Sequence, residues 1–171
     1  MRPQPDRFKA GMALVKQKPS WPGWATVYLR LALGLGFLSA VGDRFGVWGA
    51  SGSPLVAWGN FHNFLVYTAK VNPWFPAGWA PLVGWIATVC EIVVGIGLVA
   101  GIYTRILAFL GGWLTLAFAL GMAFGLGIKA PLNYSVFAVS AGSFLLACAA
   151  PYPWSIDALR NRKKSEAAAP L

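Results

Sequence analysis

The chain has 171 residues, of which 57% are hydrophobic and only 11% charged, and it carries a formal net charge of +9. A typical soluble domain has about 25% charged residues, so this composition excludes an ordinary soluble enzyme and indicates an all-α integral membrane protein in contact with the lipid bilayer. The basic residues lie in segments that flank apolar stretches, which argues against a nucleic-acid-binding protein. Four stretches are long enough to span a bilayer. They are residues 24–42, 79–100, 104–126 and 132–150.

The distribution of the basic residues predicts the orientation of a four-transmembrane-helix bundle. One side of the predicted bundle has ten of them: Arg2, Arg7, Lys9, Lys16, Lys18, Arg105, Arg160, Arg162, Lys163 and Lys164. The other side has three: Arg44, Lys70 and Lys129. The more basic side of a membrane protein faces the cytoplasm. We therefore predict a basic cytoplasmic tail at residues 1–20, a single transmembrane domain at 21–153 and a second basic cytoplasmic tail at 154–171.

The first predicted span contains Arg30, about 9 Å from its cytoplasmic end by the helical rise per residue. Its side chain is long enough either to reach a carboxylate on another helix or to extend to the lipid headgroups, and both interpretations remain open. The span ends at Asp43 and Arg44, in the run Gly-Asp-Arg-Phe-Gly. Adjacent opposite charges at the far surface are typical of an interfacial stop.

The long connection after this span predicts an amphipathic extracytoplasmic helix at residues 55–70, between transmembrane helices 1 and 2. One face carries Trp58, Phe61, His62 and Leu65, and the other carries Asn60, Asn63, Tyr67 and Lys70. Such a helix lies in the membrane interface or covers the mouth of the bundle. His62 is the only histidine in the chain. Imidazole titrates near neutral pH, so His62 is a candidate proton acceptor at a ligand entrance; an interfacial histidine with no role is the alternative.

The second span reads WAPLVGWIATVCEIVVGIGLVA and has one charged residue, Glu91, near its middle. Its length covers roughly 33 Å, and a charge at its centre costs on the order of 3 kcal/mol. Small and polar residues form one helical stripe: Gly84, Thr88, Glu91 and Gly95. Bulky residues form another: Trp85, Val89, Ile92, Ile96 and Val99. We expect the first stripe to face protein and the second to face lipid. Glu91 is therefore a candidate catalytic residue that binds or relays protons, with Arg30 as its partner; a protonated structural glutamate is the alternative.

The third and fourth spans add further candidate ligand-binding residues. Asn133 and Tyr134 are predicted on the same membrane side as His62, Asp43 and Arg44, whereas Arg105 is predicted at the cytoplasmic surface. Glycine pairs four residues apart occur in the second and third spans, and such pairs serve either internal packing or dimerisation, so a homo-oligomer stays open.

The two cysteines, Cys90 and Cys148, lie within predicted spans and form no CxxC pair. We interpret both as buried small hydrophobic residues. A single histidine and no cluster of Cys and His predict no metal, haem or iron–sulfur site, and therefore no intrinsic cofactor.

In their order and spacing these features resemble the DoxX/DoxD-like family of four-helix bacterial membrane proteins. The matching stretches are Arg-Leu-Ala-Leu-Gly at 30–34, Gly-Asp-Arg at 42–44, Glu91 with the glycines up to Thr104-Arg105, and Trp-Ser-Ile-Asp at 154–157. The likeness covers residues 25–160. It implies a subunit or partner of a redox system in the bacterial cytoplasmic (inner) membrane. The DoxD branch looks like part of a thiosulfate:quinone oxidoreductase, but this chain lacks the dithiol of redox-active relatives.

Two functions follow from the resemblance and the residues together. In the first, the chain takes part in quinone-linked oxidation of a small sulfur compound such as thiosulfate, and Glu91, Arg30 and Arg105 serve the reduced quinone oxygens. The electrons then come from a soluble or membrane partner protein or directly from the substrate. In the second, the chain is a non-enzymatic membrane scaffold, assembly factor or transporter-like subunit, in which Glu91 and Arg30 hold the bundle together.

Overall fold

A computed structural model describes residues 22–76 and 78–167, and within these ranges the chain forms seven helices and no strand. The helices are α1 (Gly23–Arg44), α2 (Phe61–Val71), α3 (Ala80–Ala100), α4 (Thr104–Leu126), α5 (Lys129–Asn133), α6 (Val136–Cys148) and α7 (Ile156–Ala167). Three of them, α1, α3 and α4, are long and apolar enough to cross a membrane. The prediction of an all-helical chain with membrane-spanning helices is confirmed to that extent.

Helices α1 and α3 pack closely because glycines meet at their contact. Gly34 of α1 packs against Val99 and the Gly95 carbonyl of α3, while Leu38, one turn further along α1, packs against Gly95 itself. This order of contacts makes the two helices antiparallel. A Cβ on Gly95 would lie only 3.1 Å from the carbonyl oxygen of Gly34, so the close approach depends on both glycines.

The second pair of packed helices consists of α4 and α6. Gly112 of α4 faces the ring of Phe144, and the Ser140 hydroxyl donates to the Gly112 carbonyl oxygen at 2.8 Å. Leu98 of α3, Ala108 of α4 and Leu146 of α6 are fully buried where the helices meet. The bundle core therefore lies between α1, α3, α4 and α6.

The fourth predicted span, residues 132–150, is not one continuous helix. The five-residue α5 ends at Asn133, and α6 begins after Ser135, whose φ of 54° lies in the left-handed region and interrupts the helical path. The 13 residues of α6 cover roughly 20 Å, less than the ~30 Å hydrocarbon core of a bilayer. After α6 the chain returns to the start of α4, where Asp157 accepts hydrogen bonds from the backbone N–H groups of Tyr103 and Thr104.

The helix predicted at residues 55–70 begins later, at Phe61. Asn60 caps it by accepting a hydrogen bond from the backbone N–H of Asn63 at 2.8 Å, and Leu55 has a left-handed φ of 67°, so the residues before Asn60 form a loop. Its buried residues are Phe64, Thr68 and Val71.

Helix α2 packs against one of the glycine pairs noted in the sequence, Gly121 and Gly125 of the third span. The α-carbon of Gly125 in α4 packs against Val71, and Gly121 packs against Val71 and Asn72. This pair therefore serves packing within the chain.

Candidate functional site

A buried ion pair joins the end of α1 to the middle of α3. Nη2 of Arg44 donates to Oε1 of Glu91 at 2.7 Å and lies equally close to Oε2, while Nη1 donates to the Thr88 hydroxyl at 2.7 Å. The side chains of Arg44 and Glu91 are only 2% and 4% exposed. The Glu91 carboxylate therefore has a directly opposed positive charge.

The antiparallel register of α1 and α3 places this pair deep in the bundle. Because Leu38 packs against Gly95, the next turns of α1 bring Arg44 beside Thr88 and Glu91. Glu91 lies about 16 Å along α3 from its first residue, Ala80, by the rise per residue. The interpretation of Arg44 as part of a surface stop is therefore wrong.

The predicted division of α3 into two faces holds except at Ile92, which is half-buried, and at Val99, which packs against Gly34 of α1 instead of facing outward. Gly84, Thr88, Glu91 and Gly95 are all buried, whereas Trp85, Val89 and Ile96 are exposed. The Thr88 hydroxyl accepts from Arg44 and donates to the Gly84 carbonyl oxygen at 2.7 Å. The small, polar face of α3 thus supplies both hydrogen-bond partners of the Arg44 guanidinium, Thr88 and Glu91.

Two aromatic rings lie over the guanidinium of Arg44. The ring centroid of Phe64 lies 3.7 Å from its Cζ atom and that of Trp58 lies 5.4 Å away, both within the range of a cation–π interaction. Asp43 holds Trp58 in place, since its Oδ2 accepts from the backbone N–H groups of Ala57 and Trp58 at 3.0 and 3.1 Å. The two predicted candidates therefore have different roles in the same site. Arg44 pairs with Glu91, and Asp43 fixes the loop that carries Trp58.

A second group of rings contacts Phe64 through Phe61, at a centroid distance of 5.8 Å, and reaches the outer surface of the bundle. Phe45 and Phe61 are stacked, with centroids 5.7 Å apart, and Phe61 lies 4.5 Å from Trp85. Phe45 and Trp85 are about half exposed. We call these three residues the aromatic cluster.

Three atoms around the ion pair are buried without a hydrogen-bond partner: Oδ1 of Asp43, Nε of Arg44 and Oε2 of Glu91. For Oε2 this refers to hydrogen-bond geometry, because the atom remains at ion-pair distance from Arg44. Buried polar atoms normally find partners, so these three atoms are exceptions to the usual pattern.

The predicted contact between Arg30 and Glu91 is not formed. Nη2 of Arg30 donates to the carbonyl oxygen of Trp154 at 2.8 Å, and the guanidinium packs against Gly101. Gly101 lies about 15 Å along α3 from Glu91 by the rise per residue, beyond the reach of an arginine side chain. The prediction assumed that α1 and α3 end at the same level, whereas α1 is displaced along the bundle axis.

The remaining predicted site residues are not among the hydrogen-bond, ion-pair or ring partners described above for Arg44 and Glu91. His62, Arg105, Asn133 and Tyr134 are exposed. Tyr134 lies near α2, where burial and the neighbouring Tyr134 phenol together raise the pKa of Tyr67.

The cysteines and the other potential metal ligands of the described residues do not cluster at one site. Cys90 and Cys148 are exposed on the bundle surface, so their interpretation as buried residues is wrong. Among the described residues, no three His, Cys, Asp or Glu side chains are placed to hold a metal ion.

Together, three apolar helices of spanning length and an ion pair buried between two of them define a helical membrane protein. No protein-family model, curated protein or solved structure matches the chain. The DoxX/DoxD-like resemblance therefore stays a prediction.

Proposed function

We propose that the protein is a DoxX/DoxD-like integral membrane subunit of a bacterial redox system, and that it handles a quinone-like ligand at the Arg44–Glu91 pair. The observation that carries this proposal is the position of the pair. It is buried at the middle of α3, and Phe64, which lies over Arg44, contacts Phe61 of the aromatic cluster at a centroid distance of 5.8 Å. An ionisable residue within a membrane span is by default a candidate functional site.

The residues around the pair suit a planar, apolar ligand with carbonyl oxygens. The aromatic cluster offers ring faces at the outer surface, where such a ligand arrives from lipid. Nε of Arg44 is a donor without a partner, and the Glu91 carboxylate is able to hold a proton. A bound quinone would supply the redox chemistry by taking up electrons and protons in equal number.

The electrons come from outside this chain, since we assign it no intrinsic cofactor. They are supplied by a soluble or membrane redox partner protein or by a small sulfur compound such as thiosulfate. Lys70 and Lys129 are exposed on the side of the bundle that carries α2 and α5, and they would attract an anionic substrate there.

The proposed location is the bacterial cytoplasmic membrane, with four crossings and both termini in the cytoplasm. Two contacts support an even number of crossings. Gly23 at the start of α1 faces Pro153, so the chain enters and leaves the bundle at the same end. Asp157 bonds to the start of α4, so the chain between α4 and α7 travels back along the length of α4, with α5 and α6 as the proposed fourth crossing.

A non-enzymatic scaffold, assembly factor or transporter-like subunit is the second candidate. It is favoured by the closed packing of the ion pair, which Phe64 and Trp58 cover and which is almost fully buried. In this function the pair holds α1 against α3, and an exposed surface of the bundle binds the partner protein.

Quinone content and companion proteins of the gently solubilised protein separate the two functions. The variant R44Q/E91Q removes both charges without leaving one unpaired, so its fold should persist. We expect wild-type protein to carry quinone and R44Q/E91Q to lose it. The control Thr115→Val, in a buried residue that bonds only within α4, should keep it. Wild-type protein without quinone, or equal quinone in R44Q/E91Q, would contradict the redox function; companion proteins that bind both forms alike would then support the scaffold.

A further inference from the structure

Helix α7 is attached firmly to one end of the bundle. Asp157 accepts hydrogen bonds from the backbone N–H groups of Tyr103 and Thr104 at 3.0 and 2.8 Å, which places a carboxylate at the positive end of α4. Ser155 caps α7 by accepting a hydrogen bond from the backbone N–H of Ala158 at 3.0 Å. Arg30 holds the carbonyl oxygen of Trp154. The first turn of α7 therefore has a fixed position.

One face of α7 combines positive charge with apolar surface. Lys163 lies four positions after Leu159 and three after Arg160, so the three side chains lie on one side of the helix, and all three are exposed. The guanidinium of Arg160 lies 5.3 Å from the ring centroid of Tyr103, in the turn between α3 and α4. Trp154, just before the helix, is 82% exposed. We call these five residues the α7 surface.

The α7 surface lies at a level of the bundle that is rich in exposed aromatic residues. Trp24 and Tyr28 in the first turns of α1 are exposed at the same end, since Gly23 faces Pro153. Tryptophan and tyrosine are enriched where a membrane meets water. Both oxygens of Asp157, in the first turn of α7, accept hydrogen bonds from the start of α4. Arg160 and Lys163 therefore lie at the end of the bundle that carries these exposed aromatic residues, while the Asp157 carboxylate is held by α4.

We propose that the α7 surface binds the headgroups of anionic phospholipids. Arg160 and Lys163 contact the phosphate groups, and the rings of Tyr103 and Trp154 with the Leu159 side chain pack at the level of the glycerol backbone. Because the first turn of α7 is tied to Gly101, Tyr103 and Thr104, bound lipid also holds the α3–α4 turn. This binding is independent of any ligand at the Arg44–Glu91 pair.

Lipid retention by the full-length protein tests this proposal. Purified protein is incubated with equal amounts of phosphatidylglycerol and phosphatidylcholine, and the lipids that remain bound are counted by native mass spectrometry. We expect a preference for phosphatidylglycerol that falls about fivefold for each charge removed in R160Q/K163Q. Both residues are exposed, so folding should be unaffected, and circular dichroism checks this.

The matched control is K70Q/K129Q, which removes two exposed charges at the side that carries α2 and α5. It should keep the full preference for phosphatidylglycerol. No preference in the wild type, an unchanged preference in R160Q/K163Q, or an equal loss in K70Q/K129Q would overturn the proposal.

Discussion

The Arg44–Glu91 pair is stabilised by its own geometry rather than by solvent. Moving two charges out of water costs several kcal/mol per ion, which a close ion pair offsets only when further hydrogen bonds and ring contacts are present. Thr88, Phe64 and Trp58 supply these contacts. Removing one partner should therefore cost much more than removing both.

A double-mutant cycle measures this difference. We expect Glu91→Gln and Arg44→Gln alone each to lower the free energy of unfolding by roughly 3–5 kcal/mol, because each leaves an uncompensated buried charge or loses the shared contacts. R44Q/E91Q should be more stable than either single variant. Unfolding in mixed detergent micelles provides the measurement, and strictly additive losses would show that the two side chains do not interact.

Gly101 occupies a position that no other residue suits. Its φ is +68°, and a Cβ there would collide with the Arg30 guanidinium and with Ser155. Gly101→Ala should lose roughly 1–2 kcal/mol from the left-handed backbone alone, and more from the collision.

The matched variant is Gly36→Ala, in α1, where a Cβ would meet nothing within 4 Å. Alanine favours a helix over glycine by about 1 kcal/mol, so this variant should be as stable as the wild type or slightly more stable. Equal effects of the two substitutions on the midpoint of thermal unfolding would refute the assignment of Gly101.

The sequence predicted Glu91 and the face it occupies but not its partner. The spacing of Gly84, Thr88, Glu91 and Gly95 is a property of one helix, so it is readable from the sequence alone. The partner depends on how far α1 is displaced along α3, which is set by glycine contacts between distant residues. For that reason the sequence alone favours Arg30 over Arg44 as the partner of Glu91. The cation–π contact with Phe64 was missed because Phe64 was not assigned to the buried face of α2.

Helix α2 occupies the space beyond the end of α1. Helix α1 stops beside the middle of α3, and α2 packs on the remaining length of α3 through Phe64 and Leu65 at Gly84. It also packs on α4 through Val71 at Gly125. The packing of α2 is therefore what keeps Phe64 over Arg44.

Gly125→Ala tests this packing, since a Cβ there would lie 2.5 Å from the α-carbon of Val71. Overpacking of this kind costs typically 1–3 kcal/mol, and we expect faster hydrogen exchange in α2 with little change in α6. The control Gly142→Ala adds a Cβ at an ordinary 3.5 Å contact with Leu29. If the rate of hydrogen exchange in α2 is unchanged in the Gly125→Ala variant, contacts other than that between Gly125 and Val71 hold α2 in place.

The long helices were predictable because α1, α3 and α4 are continuous apolar runs. The break between α5 and α6 was not predictable. Ser135 adopts a left-handed backbone conformation there, which serine rarely takes and which usually occurs at a glycine. The start of α2 was predicted six residues early because hydrophobic periodicity extends into the loop, where Asn60 and Leu55 set the boundary.

The whole molecule is expected to place both termini on the same, basic side of the membrane. Reporter fusions after Leu171 should behave as cytoplasmic, and an insertion at Gly52, in the exposed loop before α2, should behave as extracytoplasmic. A reporter at Leu171 found outside the cytoplasm would refute the fourth crossing and the orientation together.

Photoaffinity labelling with an azido-quinone tests most directly whether a quinone-like ligand reaches the Arg44–Glu91 pair. In wild-type protein we expect the label on peptides that contain Phe45, Phe61 or Trp85, because Phe45 and Trp85 are exposed and Phe61 contacts Phe64, the ring that lies over Arg44. The label should disappear in R44Q/E91Q and persist in Thr115→Val. Labelling elsewhere in the wild type, or equal labelling of the aromatic cluster in R44Q/E91Q, would contradict this function.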